Sequence, residues 1–238
     1  MKYVLILGGS SDIGLKVISI FLKMNWSVTA HYFKNKKRLV FLQKKNKNLN
    51  LIKSDFSKIN SLNINKIVKK KFHANYDSII NLVGYIDNKS FKNTNLKSIL
   101  SSLMINALIP TFIIRNIINL KLKKKWGRIV NCTTIGIKFG GGEFSYNYNL
   151  AKHCLEFIPN KFKFWAKNNV LINNIRIGHT KTKIHKRMKK PLKGNKRIKL
   201  IPMNRMAEAS EIANYIVYLA SDKNSYMTGQ TVSISGGE

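Results

Sequence analysis

The stretch Tyr3-Val-Leu-Ile-Leu-Gly-Gly-Ser-Ser-Asp-Ile-Gly14 decides the fold of this chain. Residues 3–7 form a continuous apolar run, which is typical of a strand that is buried on both faces of a parallel sheet. Glycine and serine interrupt the run, and apolar residues then recur at helical spacing over 12–23. The order strand, glycine-rich turn, helix predicts the first unit of an α/β fold.

Strands and helices alternate along the rest of the chain. Further strands are predicted at 27–32, 49–52, 78–83, 128–132, 170–177 and 231–234. Further helices are predicted at 34–45, at 57–72, within 99–122, from 148 to 166 and at 208–220. Because parallel strands need helical crossovers, this order predicts a single Rossmann domain over 1–238. Its doubly wound parallel sheet has about seven strands, with helices on both faces.

The composition is strongly basic, with 43 Lys and Arg against 10 Asp and Glu, a formal net charge of +33. One interpretation is a polyanionic partner such as a nucleic acid or an acidic carrier protein. The other is compositional drift, which we favour because the basic residues are scattered along a chain that is 44% hydrophobic. We therefore expect no specific nucleic-acid partner.

The two cysteines, Cys132 and Cys154, are too few for a disulfide framework or a metal site, so we expect a reduced, cytoplasmic protein without a metal. The apolar stretch at 3–24 resembles a signal peptide, but residues 8–12 divide it into two short segments. No other run looks long enough to cross a bilayer, so we expect a soluble protein without membrane insertion.

The glycine-rich turn has the residues that a phosphate site needs. Gly8 permits a tight turn, Gly14 lets the helix pack close to the strand, and the first N–H groups of the helix face a pyrophosphate. In such sites an acidic residue at the end of the second strand holds the ribose 2′-hydroxyl. Here the strand ends without a carboxylate, and the basic residues that follow favour NADPH over NADH, although NAD is possible; they are Lys34, Lys36 and Lys37.

Tyr148 and Lys152 are four residues apart, so they lie on one face of the predicted helix. A free tyrosine has a pKa of about 10, and a neighbouring ammonium group favours the phenolate and lowers that pKa. Such a pair suits proton exchange during carbonyl reduction or alcohol oxidation. The alternative is a pair of solvated side chains on a helix surface.

With these features in order, the chain resembles the short-chain dehydrogenase/reductase family of the compact single-domain type, over essentially its whole length. The glycine loop matches the family pattern with Asp12 in place of the middle glycine. The other matching positions are Asp55 after the third strand, Asn81 and Gly84 after the fourth, Asn106 in the long helix, the segment 177–182 with Ile177 in place of proline, and the closing segments 202–205, 228–230 and 236–237.

The resemblance implies a catalytic set of Tyr148, Lys152, Asn106 and a hydroxyl after the fifth strand. Thr134 is assigned to that hydroxyl although it lies one residue further from Tyr148 than in the family, and Thr133 is the alternative. The family also has its asparagine anchor a water that links the lysine to solvent. The cofactor-binding residues that follow are Gly8, Ser10, Ser11, Asp12, Ile13, Gly14, Tyr32, Lys34, Asp55, Phe56, Asn81, Gly84, Tyr148, Lys152, Gly178, Thr180 and Thr182.

The substrate is less well defined than the chemistry. The basic segment 181–201 is predicted to be a lid, and a carrier-bound 3-oxoacyl thioester is favoured, with Arg128 and Lys167 as candidate docking residues by family analogy. The alternatives are a sugar or surface-carbohydrate precursor and, in a different class, a non-catalytic dinucleotide- or nucleic-acid-binding module. The family also implies a homo-oligomer, a tetramer or a dimer, that forms through the two long helices.

Overall fold

The fold is taken from a computed structural model, which describes residues 1–72, 75–186 and 198–238. The predicted lid at 181–201 therefore falls largely outside the described residues. Within them, a short helix, α8, occupies Lys183–Lys186.

Seven parallel strands form one sheet, in the order β3-β2-β1-β4-β5-β6-β7. The strands are β1 Tyr3–Leu7, β2 Ser27–Tyr32, β3 Leu49–Lys53, β4 Ser78–Asn81, β5 Gly127–Thr134, β6 Val170–Ile177 and β7 Thr231–Ile234. The order reverses between β1 and β4, which places a ligand crevice at the carboxyl ends of these two strands. The predicted fold class is confirmed.

Helices cover both faces of the sheet. They are α1 Asp12–Lys23, α2 Lys37–Lys45, α3 Ile64–Lys71, α4 Leu96–Leu103, α5 Ile109–Lys124, α6 Tyr146–Leu155, α7 Phe162–Lys167, α8 and α9 Ala209–Leu219. One buried apolar cluster joins α1 and α9 to one face, for example through Phe21 and Ile216. A second cluster joins α3 and α5 to the other face through Val68, Ile113 and Ile117.

Several predicted boundaries differ from those of the structure. The helix predicted at 57–72 begins only at Ile64, since the side chain of Asp55 caps a separate 3-10 turn at Phe56–Lys58. The helix predicted at 148–166 divides into α6 and α7 around Pro159, which has no N–H for a helical hydrogen bond. Strand β5 extends to Thr134, two residues beyond its predicted end.

Helices α4 and α5 run on through a π-helical turn at Met104–Leu108, which contains Asn106. By length and composition alone, the stretch Leu96–Ile118 could cross a membrane, so the expectation that no further run is long enough was wrong. In this fold 44% of its most apolar window is buried inside the protein. Ile109 and Ile113 are fully buried there, so the α5 part of this stretch packs in the core against the sheet.

Candidate active site

The glycine loop is pressed against the sheet. Gly8 has a φ of +79°, and a Cβ there would lie 2.7 Å from the carbonyl oxygen of Leu82. A Cβ on Gly14 would lie 2.7 Å from the carbonyl oxygen of Gly9, so α1 meets the loop where only glycine fits. Ser11 caps α1, since its Oγ accepts a hydrogen bond from Gly14 N–H at 3.0 Å. Ile13 is buried.

His31, on β2, holds the glycine loop by a hydrogen bond, a role that no sequence pattern indicated. Gly8 N–H donates to His31 Nδ1 at 3.3 Å, and His31 Nε2 contacts the carbonyl oxygen of Ser54 at 3.0 Å. The ring stacks on Phe56, with centroids 4.3 Å apart. Burial lowers the pKa of His31 to about 4, so the imidazole is neutral, with its proton on Nε2.

Four of the predicted cofactor-binding residues lie at or just after the carboxyl ends of β2 and β3. Tyr32 ends β2 and is half-buried, and Lys34 follows in an exposed turn. Asp55 Oδ1 accepts hydrogen bonds from the N–H and the hydroxyl of Ser57, which fixes the carboxylate beside buried Phe56. These side chains therefore share one edge of the crevice with the glycine loop.

The other predicted cofactor residues follow β4 and β6. Asn81 is buried, and its Nδ2 has no hydrogen-bond partner among the described residues. Gly84 lies open, with only Ile184 near its side-chain position. Gly178 N–H donates to Ile234 O at 2.9 Å, and the buried Thr180 hydroxyl donates to Gly178 O at the same distance. The hydroxyl of Thr182 contacts the carbonyl oxygen of Thr180 at 3.4 Å.

Lys152 is buried beside the carboxyl ends of β4 and β5. Its Nζ donates to the carbonyl oxygen of Val83 at 2.8 Å and to that of Cys132 at 2.7 Å. The same Nζ lies 5.8 Å from the ring centroid of Tyr148, which is half-buried. The structure therefore brings the predicted pair together, although no hydrogen bond joins the ammonium group to the phenol.

The net shift of the Tyr148 pKa is upward in this chain, although a neighbouring ammonium group by itself favours the phenolate. Burial raises the pKa of Tyr148 above its ordinary value, and the nearby Cys132 raises it further. Burial also lowers the pKa of Lys152 to about 8, because the low-dielectric interior disfavours its charge. Tyr148 is consequently a protonated phenol at neutral pH, which is the form that donates a proton.

Thr134 and Thr133 lie on opposite faces of β5. Thr133 is buried, and its hydroxyl donates to Glu156 Oε1 at 2.7 Å, so its proton already has an acceptor. Thr134 shares its face with Cys132, whose carbonyl oxygen holds Lys152. Its hydroxyl accepts a hydrogen bond from Gly136 N–H at 3.2 Å, and its own proton has no acceptor among the described residues. This geometry favours Thr134 over Thr133.

Asn106 is buried in the π-helical turn and holds the chain after β4. Its Oδ1 accepts from Tyr85 N–H at 2.7 Å, and its Nδ2 donates to Tyr85 O at 2.9 Å. Nδ2 also contacts the carbonyl and hydroxyl oxygens of Ser102. With Lys152 bound to Val83 O, two predicted catalytic residues clamp the same segment, while the water link through Asn106 stays a prediction.

The candidate carrier-docking residues lie near the amino ends of β5 and β6. Arg128 stands at the amino end of β5 and is 2% exposed. Its guanidinium donates to the carbonyl oxygens of Asn224 and Asn169 at 2.8 Å. Lys167 is exposed but ends α7, just before the amino end of β6. Arg128 is therefore buried at the edge opposite Thr134 and is not free to dock a carrier, while docking through the exposed Lys167 stays a prediction.

The residues around the crevice fit a dinucleotide. The first N–H groups of a helix have no partner within that helix, and the positive end of the α1 dipole faces the crevice. Glycine at 8 and 14 brings this helix end against the sheet, and Asn81 Nδ2, which has no partner in the described part of the chain, lies at the switch point. Together with Tyr148 and Lys152, these features define a Rossmann-type oxidoreductase with its site at the carboxyl edge.

Comparisons with known proteins agree with this class. The family described as enoyl-(acyl carrier protein) reductase matches residues 8–238. The chain belongs to the short-chain dehydrogenase/reductase family, as its sequence motifs predicted. Members of this family are NAD(P)-dependent oxidoreductases, so the predicted class of enzyme is confirmed.

Two curated relatives carry the name 3-oxoacyl-[acyl-carrier-protein] reductase FabG. The protein from Buchnera aphidicola (subspecies Schizaphis graminum) is 32% identical over 160 residues, which span 66% of this chain and 61% of that relative. The protein from Aquifex aeolicus is 29% identical over 192 residues, 76% of each chain. Among solved structures, ElxO with NADP bound is 26% identical, with a TM-score of 0.80, over 99% of this chain and 98% of that one.

Proposed function

We propose that the protein is an NADPH-dependent reductase of 3-oxoacyl thioesters. The observation that carries this proposal is that a protonated Tyr148, the buried Lys152 and the Thr134 hydroxyl lie at the carboxyl edge of the sheet, with no acceptor for the Thr134 proton among the described residues. The names of the Buchnera and Aquifex relatives support the substrate class. An Acinetobacter relative named acetoacetyl-CoA reductase, 28% identical over 162 residues, supports a thioester as well.

A bound NADPH supplies the hydride for the carbonyl carbon. Tyr148 donates the phenolic proton to the carbonyl oxygen, and Thr134 donates a hydrogen bond to the same oxygen. Lys152, with its ammonium group held by Val83 O and Cys132 O, places a positive charge beside the phenol and stabilises the phenolate that remains. The chain thus supplies the proton and the oxygen-binding groups of a carbonyl reduction.

The preference for NADPH rests on charge at the ribose end. Strand β2 ends at Tyr32 without a carboxylate, and exposed Lys34 follows. Arg38, in the first turn of α2, adds a guanidinium near the glycine loop through its contact with Asp12. Cationic groups attract a 2′-phosphate, and the ElxO structure has NADP bound. The other cofactor-binding residues that the sequence predicts are part of the same proposal.

We further propose that the enzyme works in the cytoplasm as a homo-oligomer, a tetramer or a dimer, formed through α4, α5 and α6. Leu96 and Leu100 on α4 are 70% and 49% exposed, and Leu150 on α6 is 38% exposed. Apolar side chains on neighbouring helix faces are stabilised when a second copy covers them. Light scattering that gives a particle near the 27.3 kDa of one chain would contradict this assembly.

A second candidate substrate is a sugar acid. A Bacillus subtilis relative named 2-dehydro-3-deoxy-D-gluconate 5-dehydrogenase is 30% identical over 118 residues, but these span only 49% of this chain. The catalytic groups would be the same, because both substrates present a carbonyl or an alcohol.

The deciding experiment is NADPH oxidation with a matched panel of carbonyl compounds. The panel contains 3-oxoacyl thioesters of coenzyme A and of acyl carrier protein, keto sugars, keto sugar acids and simple ketones. We expect kcat/KM for a 3-oxoacyl thioester to exceed that for every other class. Higher kcat/KM with a keto sugar or keto sugar acid would replace the thioester proposal. Absence of turnover with all of them, together with RNA binding that survives high salt, would favour a non-catalytic module.

A further inference from the structure

Asp12 stands where the family pattern has a glycine, and its side chain reaches across the crevice. Lys183 N–H, 171 residues further along the chain, donates to Asp12 Oδ2 at 2.8 Å. The other carboxylate oxygen lies 2.7 Å from Arg38 Nη2. The glycine loop, α2 and the chain after β6 therefore meet at one carboxylate.

The carboxylate is available for these contacts because another side chain caps the helix. Ser11 Oγ accepts from Gly14 N–H, so the first turn of α1 does not need Asp12 as its cap. Burial raises the pKa of Asp12, but the hydrogen bond from Lys183 N–H and the contacts with Arg38 outweigh it and keep that pKa below its ordinary value. Asp12 is therefore a carboxylate, and so a strong acceptor, at neutral pH.

The contact with Lys183 completes the attachment of the segment 178–183, where the predicted cofactor residues after β6 lie. One end is held by Gly178 N–H on Ile234 O, and the middle by Lys181 N–H on Ala207 O, both at 2.9 Å. These two anchors belong to the carboxyl-terminal part of the chain. Asp12 supplies the anchor from the opposite side of the crevice, on the glycine loop itself.

We propose that Asp12 is a positioning residue, which fixes the segment 178–183 over the cofactor crevice by accepting the hydrogen bond of Lys183 N–H. This inference rests on the cofactor site proposed above and deepens it. The fixed segment holds Thr180 and Thr182 at a constant distance from the glycine loop, so that both sides of the crevice contact NADPH together. Arg38 orients the carboxylate by binding its second oxygen.

The test distinguishes three contributions to NADPH binding: the hydrogen bond from Lys183 N–H to Asp12, the charge of the Asp12 carboxylate, and the side chain of Lys183. Asp12→Gly removes both contacts, while Asp12→Asn keeps an acceptor for Lys183 N–H. Lys183→Pro removes the N–H at the first position of α8, where proline is tolerated, and Lys183→Ala is its matched control with the N–H retained. NADPH affinity is measured by fluorescence titration of each full-length variant, with melting temperature as the check on folding.

We expect Asp12→Gly and Lys183→Pro each to weaken NADPH binding by about ten-fold, the loss for one hydrogen bond to a charged group, and the double variant to lose no more than either. Lys183→Ala should bind within about three-fold of the wild type, and Asp12→Asn, which keeps an acceptor for Lys183 N–H, should lose less affinity than Asp12→Gly. Additive losses in the double variant, or an Asp12→Asn variant as weak as Asp12→Gly, would overturn the proposal. So would unchanged affinity in Asp12→Gly. Because the titration needs no substrate, its result is independent of whether the thioester activity is found.

Discussion

The ammonium group of Lys152 lies 5.8 Å from the centre of the Tyr148 ring, and its hydrogen bonds go to backbone carbonyl oxygens. The lysine therefore acts on the phenol through space, as a positive charge, and not as a hydrogen-bond donor. It also fixes the ends of β4 and β5 by bonding Val83 and Cys132. Lys152 consequently determines both the position of the backbone at the site and the charge beside Tyr148.

This dual role predicts a pH dependence. The pKa of Lys152 is lowered to about 8, so the ammonium group is present at pH 7 and is lost as the pH rises through that value. Loss of the charge makes Tyr148 a weaker proton donor. We expect kcat/KM for the carbonyl substrate, which reports on the enzyme before that substrate binds, to be level well below pH 8 and to fall above it. A profile that stays level to pH 10 would contradict this role.

The two threonines at the end of β5 predict different losses. Thr134→Ala should reduce kcat by about a hundred-fold, since one hydrogen bond to the carbonyl oxygen is removed, and Thr134→Ser should restore most of it. Thr133→Ala should mainly reduce stability, because Glu156 loses a buried hydrogen bond. Steady-state kinetics and urea unfolding of the three variants distinguish these effects. Equal kcat losses at both positions would leave Thr134 unassigned.

Asn147, next to Tyr148, links α6 to the segment after β4 through its side-chain hydrogen bonds. Its Nδ2 donates to Asp87 Oδ2 at 2.6 Å, and its Oδ1 accepts from the Thr94 hydroxyl at 2.8 Å. Asn147→Ala leaves these partners unpaired, so we expect the free energy of unfolding to fall by about 2 kcal/mol. The exposed Asn160 serves as the control, where alanine should cost less than about 0.5 kcal/mol. Equal losses at both sites would refute the link.

His31 predicts an acid-sensitive stability. Its pKa is about 4 in the folded chain against 6.5 as the ordinary value, so the unfolded chain binds more protons between these pH values. The stability due to the neutral ring is present above pH 6.5 and is lost as the pH falls to about 4. The loss is on the order of 3 kcal/mol. Urea unfolding should show the stability difference between wild type and His31→Gln shrinking over this range, and a constant difference would contradict it.

The sequence predicted most of the fold because its signals are local. Short local patterns, the apolar run at 3–7 first among them, indicated the strands, and the glycine loop marked the turn from β1 to α1. The end of α6 was not predicted because Tyr148 to Ala166 reads as one helical pattern despite Pro159. The π-helical turn at Met104–Leu108 has no local signal either, since its residues also suit an α-helix.

The site was predicted only in part, because sequence signals are local and several properties of the site depend on distant residues. Motif spacing identified Tyr148 and Lys152, but their pKa values depend on burial, which spacing does not reveal. His31 was missed because a single histidine in a strand carries no pattern, and its role depends on the distant Gly8 and Ser54. A polar residue facing the glycine loop from the second strand is the signal that could have found it.

The most direct test of the proposed mechanism is Tyr148→Phe, which removes one hydroxyl from the proton donor. Fluorescence titration should show NADPH affinity within about three-fold of the wild type, because the phenol is not needed to hold the dinucleotide. Reduction of the best carbonyl substrate should fall by at least about a thousand-fold, since general acid catalysis is lost. Retained affinity with abolished turnover is the predicted result. A variant that reduces the substrate at the wild-type rate would contradict the assignment of Tyr148 as the proton donor.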